Sequence, residues 1–315
     1  MRQCQTVPAG RRRAWLIAYD TAGREVDSLE VTGPNAGTEG TQSGVEMGAR
    51  ELKAMWHARR SREETALIAV PGATAGPDQV EVRRWMMRLI TKETATQSWD
   101  QVERRLWTLT TPDQIGGRTG FFAIRFQERN GQTREITVKR TGSPEPDSDT
   151  YPGQHGHEAW TFEVTAFDPW WYGQDETDRW EPGGSSSAIL QIRNPGDQLG
   201  YLLWTFPQAD GDATWTVPDG AGVYPPGHDL AGDRIRHELP TVEAGQIAEA
   251  SQRPDRLPFR ILGLPMSFGL MRQARFTHPI EPSLAPVDLP VTVDTTATDA
   301  AVEVRLRPAY DRPYS

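Results

Sequence analysis

Apolar and polar residues alternate with a period of two along most of this chain, a pattern typical of half-buried antiparallel strands. The clearest predicted strand runs over 160–166, where four apolar residues alternate with three polar ones. A second predicted strand, 122–126, is followed by Asn130-Gly131, a strong signal for a β-hairpin. Further strands are predicted over 15–19, 136–138, 202–206, 215–217, 235–239 and 302–306. The pattern therefore predicts a mainly β chain, a β-rich α+β fold.

One or two helices interrupt the strands. Ser98 is a predicted N-cap, and the apolar residues from Trp99 to Leu109 recur at helical spacing, so a helix is expected there. It ends before Pro112, because proline disfavours a helical residue in front of it. A second helix is predicted over Val45–His57. The run 82–92 fits either period, and we interpret it as a strand because prolines precede it.

A change in composition divides the chain into two predicted domains. Residues 174–187 are acidic and then rich in Gly and Ser, which is the composition of a flexible linker. The first domain is therefore predicted over 1–173 and the second over 188–315. Short strands separated by turn residues make the second domain an expected antiparallel β-sandwich. Its proline-rich run 277–290 is expected to be an extended connection.

Composition excludes several classes of protein. The net charge of −9 argues against a nucleic-acid binder, whose affinity depends on clustered Lys and Arg. The single cysteine, Cys4, excludes an intrachain disulfide framework and a Cys-rich zinc site. No apolar run approaches the length of a membrane span, and no signal peptide is evident, so neither membrane insertion nor secretion is expected.

The sequence offers no convincing catalytic or metal site, so we expect no cofactor and no enzyme activity. His155 and His157 supply two potential metal ligands, but no further histidine or cysteine lies nearby at ligand spacing. The acidic residues 175–178 lack the alternating oxygens and central glycine of a calcium loop. There is also no phosphate-binding loop and no dinucleotide fingerprint. A binding or structural role is therefore favoured.

Aromatic residues form two clusters that could carry such a role, since the chain contains 11 tryptophans. The first follows the strand over 160–166 and is interpreted either as the cap of the first core or as a domain-junction or subunit-interface anchor. Its members are Asp168, Pro169, Trp170, Trp171 and Tyr172. The second contains Trp204 and Trp215, which either fill the sandwich core or stack on sugars.

These clusters resemble a known family. The segment 167–173, Phe-Asp-Pro-Trp-Trp-Tyr-Gly, is similar to the close of the first domain in distal tail proteins of long-tailed phages, especially those of actinobacteria. Asn194-Pro195-Gly196-Asp197 and the strands after it resemble the opening of that family's galectin-like C-terminal sandwich. The turn over 242–246 and the Arg-Pro-aromatic ending over 307–315 are similar to later parts of such proteins. The loop 207–211 departs from the family, which has a Gly-Pro pair there.

The resemblance implies a structural virion protein without a cofactor or catalytic residue. Members of the family form a hexameric ring at the distal end of the tail, after assembly in the host cytoplasm. The ring joins the tail tube protein to the hub protein of the tail tip and can carry receptor-binding proteins. On this basis the first domain is expected to form the ring, and the second is expected to be galectin-like.

Two other functions stay open at this point. One is a carbohydrate-binding module that recognises host cell-wall glycans through Trp204 or Trp215. The other is a glycoside hydrolase, whose paired carboxylates cannot be identified from spacing alone.

Overall fold

The computed structural model describes residues 12–36, 43–47, 55, 60–66, 73–114, 116–148, 156–264 and 275–314. The chain forms two compact units. The first contains Met1–Tyr172 together with the C-terminal Asp311–Ser315, and the second contains Gly173–Tyr310. The predicted domain boundary at residue 173 lies beside this division, whereas the last residues belong to the first unit and not to the second.

One large antiparallel sheet forms the first unit. Its strand order is β2-β1-β7-β8-β10-β6-β3, with two short strands, β9 and β11, added beside β10 and β8. The elements of the unit in chain order are β1 Arg13–Asp20, β2 Glu25–Thr32, β3 Val45–Met47, β4 Arg60–Ala66, β5 Ala73–Val80, β6 Arg83–Lys92, α1 Trp99–Leu109, β7 Arg118–Gln127, β8 Thr133–Arg140, β9 Glu145–Pro146, β10 His157–Ala166 and β11 Trp171–Tyr172. The predicted mainly β fold is therefore confirmed.

The sheet curls until its two end strands nearly meet. The Ser43 hydroxyl, just before β3, donates to the backbone carbonyls of Glu30 in β2 and Val45 in β3. Alternate residues of β6, β8 and β10 face inward and are buried. The α1 helix adds Val102 and Leu106 to the buried apolar residues. This wrapped sheet gives the unit one continuous core and leaves a long curved outer face.

Local sequence signals correctly located two features of this unit. The Gly131 backbone has a φ of +88° in the turn between β7 and β8, where a side chain would be strained, so the Asn-Gly hairpin prediction is confirmed. The α1 helix begins after Ser98, whose backbone N–H donates to the Gln101 side chain. The interpretation of 82–92 as a strand is also correct, because β6 pairs along its whole length with β10.

The second predicted helix is wrong where it can be checked. Val45–Met47 is the strand β3, in which Val45 pairs with Thr91 and Met47 with Leu89. The burial pattern of these three residues, buried, exposed and buried, is compatible with a strand as well as with a helix, and the β-branched Val45 favours the strand. Most of the remainder of the predicted helix lies outside the described residues. The β4–β5 hairpin was not predicted from the sequence.

The C-terminal segment, Asp311–Tyr314, packs within the first unit around a buried cation. Arg83 is 2% exposed and donates to the carbonyl of Met55 at 2.7 Å and to that of Asp311 at 3.1 Å. Its guanidinium also lies 3.4 Å from the Asp311 carboxylate. Arg134 donates to the Arg312 carbonyl at 3.0 Å. We call Arg83, Asp311 and these carbonyls the cationic clasp.

The second unit is the antiparallel β-sandwich that the sequence predicts. One sheet has the order β12-β20-β14-β17-β18 and the other β13-β19-β15-β16. Both sheets contribute buried side chains to one core, which includes Trp204, Trp215, Leu289 and Val304. The strands are β12 Glu176–Trp180, β13 Ser187–Asn194, β14 Leu202–Phe206, β15 Ala213–Val223, β16 Arg234–Glu238, β17 Ala248–Ser251, β18 Phe259–Ile261, β19 Ser283–Thr295, β20 Val302–Leu306 and β21 Ala309–Tyr310.

Most of the predicted linker, 174–187, is ordered structure. Strand β12 pairs with β20 over its five residues, and the Trp180 ring packs edge-on against Trp215 with ring centroids 5.9 Å apart. The acidic residues are also engaged: the Asp178 carboxylate accepts the backbone N–H of Gln191 at 2.7 Å. A composition that looks like a linker therefore forms an edge strand, because one tryptophan anchors it to the core.

The proline-rich run 277–290 is likewise not only a connection, because its second half belongs to β19. Pro290 pairs with Ile189 of β13, whereas the pairing of β19 with β15 on its other side begins only at Thr292. A proline is tolerated there because the missing N–H falls where β15 offers no partner.

A buried carboxylate holds the first half of the same run. Asp219, on β15, is 1% exposed and accepts the backbone N–H and hydroxyl of Thr277 at 2.9 and 3.0 Å. It also accepts the backbone N–H of His278 at 3.1 Å and contacts its imidazole Nδ1 at 2.8 Å. Burial raises the pKa of Asp219, but the side chains of His237 and His278 and the backbone N–H groups of His278 and Thr277 together hold it well below its usual range. We call Asp219, Thr277 and His278 the anionic clasp.

The backbone fits tightly beside the anionic clasp. Gly220 has a φ of +51°, and a Cβ at this position would lie 1.9 Å from the His278 carbonyl oxygen. Only glycine can therefore follow Asp219 while the His278 segment lies this close.

Candidate interaction surface

The aromatic cluster predicted as an interface anchor closes the core of the first unit. Trp171 is fully buried, its indole N–H donates to the Met55 carbonyl at 3.2 Å, and its ring meets Phe126 edge-on at 5.5 Å. The Tyr172 hydroxyl donates to the Asp168 carboxylate at 2.6 Å. Pro169 and Trp170, between them, are half-buried. Core closure therefore accounts for Trp171, and any contact with a partner uses the more exposed neighbours.

The tryptophans considered for sugar stacking lie inside the sandwich. Trp204 is 0% and Trp215 is 1% exposed. The Trp215 ring packs against Phe206 at 5.5 Å between centroids, in addition to Trp180. A sugar-stacking ring must present a face to solvent. The structure therefore gives these two residues a packing role and offers no support for a glycan platform built on them.

Other aromatic rings are exposed on the outer face of the first unit. Phe167, directly after β10, is 57% exposed, and Phe121, on β7, is 36% exposed. Their ring centroids are 6.3 Å apart in an edge-to-face arrangement. Met86, on β6, is 47% exposed and its backbone pairs with Glu163 of β10. Exposed apolar side chains grouped in this way mark interaction sites more often than scattered single ones do.

Two cations accompany these rings. The Lys139 ammonium lies 5.6 Å from the centroid of the Phe121 ring, and the exposed Arg84 lies on β6. Both residues flank Thr165, because it pairs with Lys139 on one side and Arg84 on the other. Among the described residues, neither cation has a carboxylate within ion-pair distance. We call Arg84, Met86, Phe121, Lys139 and Phe167 the outer patch.

An acidic group lies further along the same face. Glu25 pairs with Tyr19 in the β1–β2 ladder, its side chain is 41% exposed, and its neighbour Val26 is 49% exposed. Asp20 ends β1 at the turn, where its carboxylate lies 2.8 Å from the guanidinium of the exposed Arg24. We call Asp20, Glu25 and Val26 the acidic flank. The Glu25 carboxylate lies 3.3 Å from the guanidinium of Arg125 on β7, the strand that also carries Phe121, so the flank adjoins the outer patch.

A hydrogen-bonded network fixes the surface between the patch and the flank. The Tyr19 hydroxyl contacts both carboxylate oxygens of Glu135 at 2.9 Å and the Arg125 guanidinium at 3.0 Å. Burial, followed by the charge of Glu135, raises the pKa of Tyr19 to about 12. Tyr19 therefore stays neutral at physiological pH, and this part of the face is rigidly organised.

The described part of the chain gives no sign of a metal centre. It contains no group of three or more His, Cys, Asp or Glu side chains arranged to hold an ion. His157 is exposed at the start of β10, whereas His155 and Cys4 lie outside the described residues. No helix among the described residues is long and apolar enough to cross a membrane.

Sequence reasoning missed the outer patch, although one signal for it was present. Phe121 and Phe122 are adjacent in a strand, so they must face opposite sides of the sheet. Phe122 belongs to the same apolar face as Ile124 and Phe126, so the Phe121 side chain is expected on the outer face of the sheet. Exposure of Met86 and Phe167 depends on the packing of several strands and had no comparable local signal.

No model of a known protein family matches the chain, and no curated protein matches it in sequence. Solved structures do match, and two of them come from the adsorption apparatus of bacteriophages. One of them is the Dit protein of phage SPP1, described as a paradigm of the hub adsorption apparatus of phages that infect Gram-positive bacteria. It is 11% identical, with a TM-score of 0.52 over 94% of this chain and 98% of that one.

The baseplate of phage P2, in its activated conformation with calcium, also matches. It is 10% identical, with a TM-score of 0.49 over 93% of this chain and 97% of that one. At 11% identity the likeness to SPP1 Dit establishes the fold and not the activity.

Proposed function

We propose that this protein is a distal tail adaptor of a long-tailed phage, of the actinobacteriophage kind that its motifs resemble. In this role it forms a hexameric ring at the end of the tail, joins the tail tube to the tail-tip hub, and acts without enzymatic activity. The supporting observation is that its fold matches SPP1 Dit over nearly the whole of both chains, through both units. A partial match would leave one unit free for another function.

The two units suggest a division of labour within the ring. The first unit has an exposed patch of aromatic rings and a methionine with two cations that have no ion-pair partner among the described residues, and aromatic residues, methionine and arginine are enriched at protein interfaces. The second unit is a galectin-like sandwich whose Trp204 and Trp215 are buried, so we assign it the role of a platform for receptor-binding proteins. Binding of host cell-wall glycans would require a surface other than these two rings.

Reconstitution tests the adaptor role. Purified tail tubes and hub protein from the same phage are mixed with and without this protein, and the tubes are then sedimented. We expect the hub to sediment with the tubes only when this protein is present, because it supplies both contacts. Equal sedimentation of the hub without it would contradict the proposal.

A further inference from the structure

We propose that a groove beside the α1 helix binds an acidic peptide segment of another tail-tip protein. This inference rests on the proposed function and names the chemistry by which one of the adaptor's partners is recognised. The groove lies within the first unit, and Arg104, Arg118 and Arg140 line it. We call it the arginine groove.

The arginine groove has the size of a binding site. Its volume is about 720 Å³, which falls in the range of about 300–1,000 Å³ that is usual for ligand pockets. The α1 helix forms one wall through Arg104, Trp107 and Thr108. Arg118 begins β7 and Arg140 ends its antiparallel partner β8, so both cations lie at the same end of the sheet. The groove therefore runs between the helix and this end of the two strands.

The three arginines have no counter-charge in the part of the chain that the structure describes. None of their guanidinium groups lies within ion-pair distance of a described carboxylate. Arg105, the next residue of the same helix, is different because it pairs with Asp27 at 2.7 Å. The fold thus neutralises the neighbouring arginine internally and leaves the charges of the groove to an external anion.

Two of the guanidinium groups are held in place before any partner binds. Arg118 donates to the Thr108 carbonyl at 3.0 Å, and Arg140 lies 5.3 Å from the centroid of the Trp107 ring. The Trp107 ring is itself fixed, because it packs edge-on against Trp160 with centroids 5.2 Å apart. The planar fork of a guanidinium matches both oxygens of a carboxylate, and a positioned fork loses little freedom on binding one.

Arg140 gains most from an anionic partner. It is half-buried, and burial lowers its pKa, although the charge of Asp113 opposes this effect. An uncharged partner would remove the remaining water from this cation without compensation, which is costly. A partner that fills the groove must therefore contribute negative charge.

Two carboxylates in the groove favour a peptide over a nucleic acid. Asp100 and Glu103 also line it, and neither forms an ion pair with a described residue. A nucleic acid carries a negative charge on every phosphate, so part of it would face these carboxylates. A peptide can place acidic residues at the arginines and a neutral residue beside Asp100 and Glu103. Recognition of acidic motifs by clustered arginines is a recurring mode of peptide binding.

Site-specific photo-cross-linking tests the occupant. The exposed Thr108 is replaced by p-benzoylphenylalanine, and the protein is irradiated with tail tubes and hub protein from the same phage. We expect a cross-link to one segment of the tube or hub protein in which Asp and Glu outnumber Lys and Arg. The matched control carries the cross-linker at Arg129, which is also exposed but lies in the turn at the opposite end of β7.

The control should not label that segment. Equal labelling from both positions would overturn the inference. So would the absence of a cross-link from the groove, or a cross-link to a segment that is not acidic, to nucleic acid or to another copy of this chain.

Charge reversal tests the arginines. The Arg104 side chain is exposed and makes no hydrogen bond or ion pair with the described residues, so Arg104→Glu should leave the fold unchanged. It should weaken binding of the cross-linked partner by about tenfold or more, because like charges would then face each other. Sedimentation across a dilution series would measure the loss, and Arg129→Glu should bind as the wild type does. Equal binding of the two variants would contradict the inference.

The two proposals fail in distinguishable ways. If Arg104→Glu joins the hub to the tubes as well as the wild type does, and the groove gives no cross-link, the arginine groove is not the contact and the adaptor function stands. If the hub sediments with the tubes in the absence of this protein, the adaptor function itself fails.

Discussion

The two units each use one buried charge to hold a distant irregular segment, and the charges are opposite. In the first unit the cation Arg83 donates to backbone carbonyls and to Asp311, whereas in the second unit the anion Asp219 accepts N–H and O–H groups of Thr277 and His278. In each clasp the held segment is contacted mainly through its backbone carbonyl or N–H groups. A charged side chain can bind such groups, whereas an apolar core cannot.

The difference in sign gives the clasps different sensitivities. Burial lowers the pKa of Arg83 to about 10, so the cationic clasp stays charged at physiological pH. The anionic clasp depends on a carboxylate, which acid can neutralise. The comparison therefore predicts that truncation breaks the first unit and that acid breaks the second.

Deletion of residues 311–315 should have the largest effect. It removes the carboxylate and the carbonyl of Asp311 from the buried Arg83, whereas Arg134 loses the Arg312 carbonyl but keeps its ion pair with Glu128. Breaking a buried pair by removing one partner costs about 3–5 kcal/mol, and we expect a loss of that order in the first unit. Urea unfolding followed by hydrogen exchange at β7 and β8 would measure it.

Arg312→Ala is the matched control for this deletion. It removes a side chain of the same segment but keeps the carbonyl that Arg134 contacts, so the stability of the first unit should change little. A deletion variant that is as stable as Arg312→Ala would show that the cationic clasp contributes nothing.

Asp219→Asn should destabilise the second unit by about 3 kcal/mol. An amide has one acceptor oxygen in place of two, so some of the part-buried donors from Thr277 and His278 lose their partner at the buried Asp219, and each such loss costs about 1–3 kcal/mol. The effect should appear in the unfolding transition of the sandwich, with the first unit unchanged.

Asp210→Asn provides the comparison for Asp219→Asn. Asp210 also accepts the N–H and hydroxyl of a threonine, Thr298, at 2.8 and 2.7 Å, but its site is exposed and water can replace the carboxylate. Its loss should therefore cost much less. Equal effects at the two positions would mean that burial of the anionic clasp is unimportant.

Acid should weaken the second unit first. The pKa of Asp219 is depressed in the folded chain, so its stabilisation is complete above the unfolded value of about 3.9 and declines as the pH falls below it. Unfolding in urea between pH 7 and 2.5 should show the sandwich losing stability below about pH 4, with a smaller slope in Asp219→Asn. A wild type and variant with parallel pH profiles would contradict this assignment.

Phe167→Ser should have the smallest effect on the isolated chain. The ring is mostly exposed, and surface changes usually stay within about 0.5 kcal/mol of the parent. Its thermal unfolding should therefore match that of the wild type while its assembly weakens. A large loss of stability would show that Phe167 serves the core and not an interface.

Sequence periodicity was sufficient for elements whose apolar residues recur regularly at strand or helix spacing. The strand β10, the β7–β8 hairpin with its Asn130-Gly131 turn, and the α1 helix after Ser98 follow from local signals alone. It failed where a short or unusual segment is stabilised by distant partners. Strand β12 has the composition of a linker, but it pairs with β20 over all five residues, and its Trp180 packs against Trp215.

The clasps and the outer patch could not be predicted for a related reason. Arg83 and Asp311 are 228 positions apart, and Asp219 and His278 are 59 apart, so no spacing rule connects either pair. The patch requires the strand order, because Phe121 and Arg84 belong to strands separated by more than 20 residues of sequence. The aromatic cluster 168–172 was predicted as either a core cap or an interface anchor, and the fold buries its Trp171 in the core.

The most direct test of the adaptor role is the copy number of the native assembly. Light scattering on a sizing column would give its mass, and electron-microscope class averages of the same peak would give its symmetry. The proposed function predicts six copies in a ring with a central channel, for the isolated chain or for the chain mixed with tube and hub proteins. A chain that stays single in both conditions would contradict it.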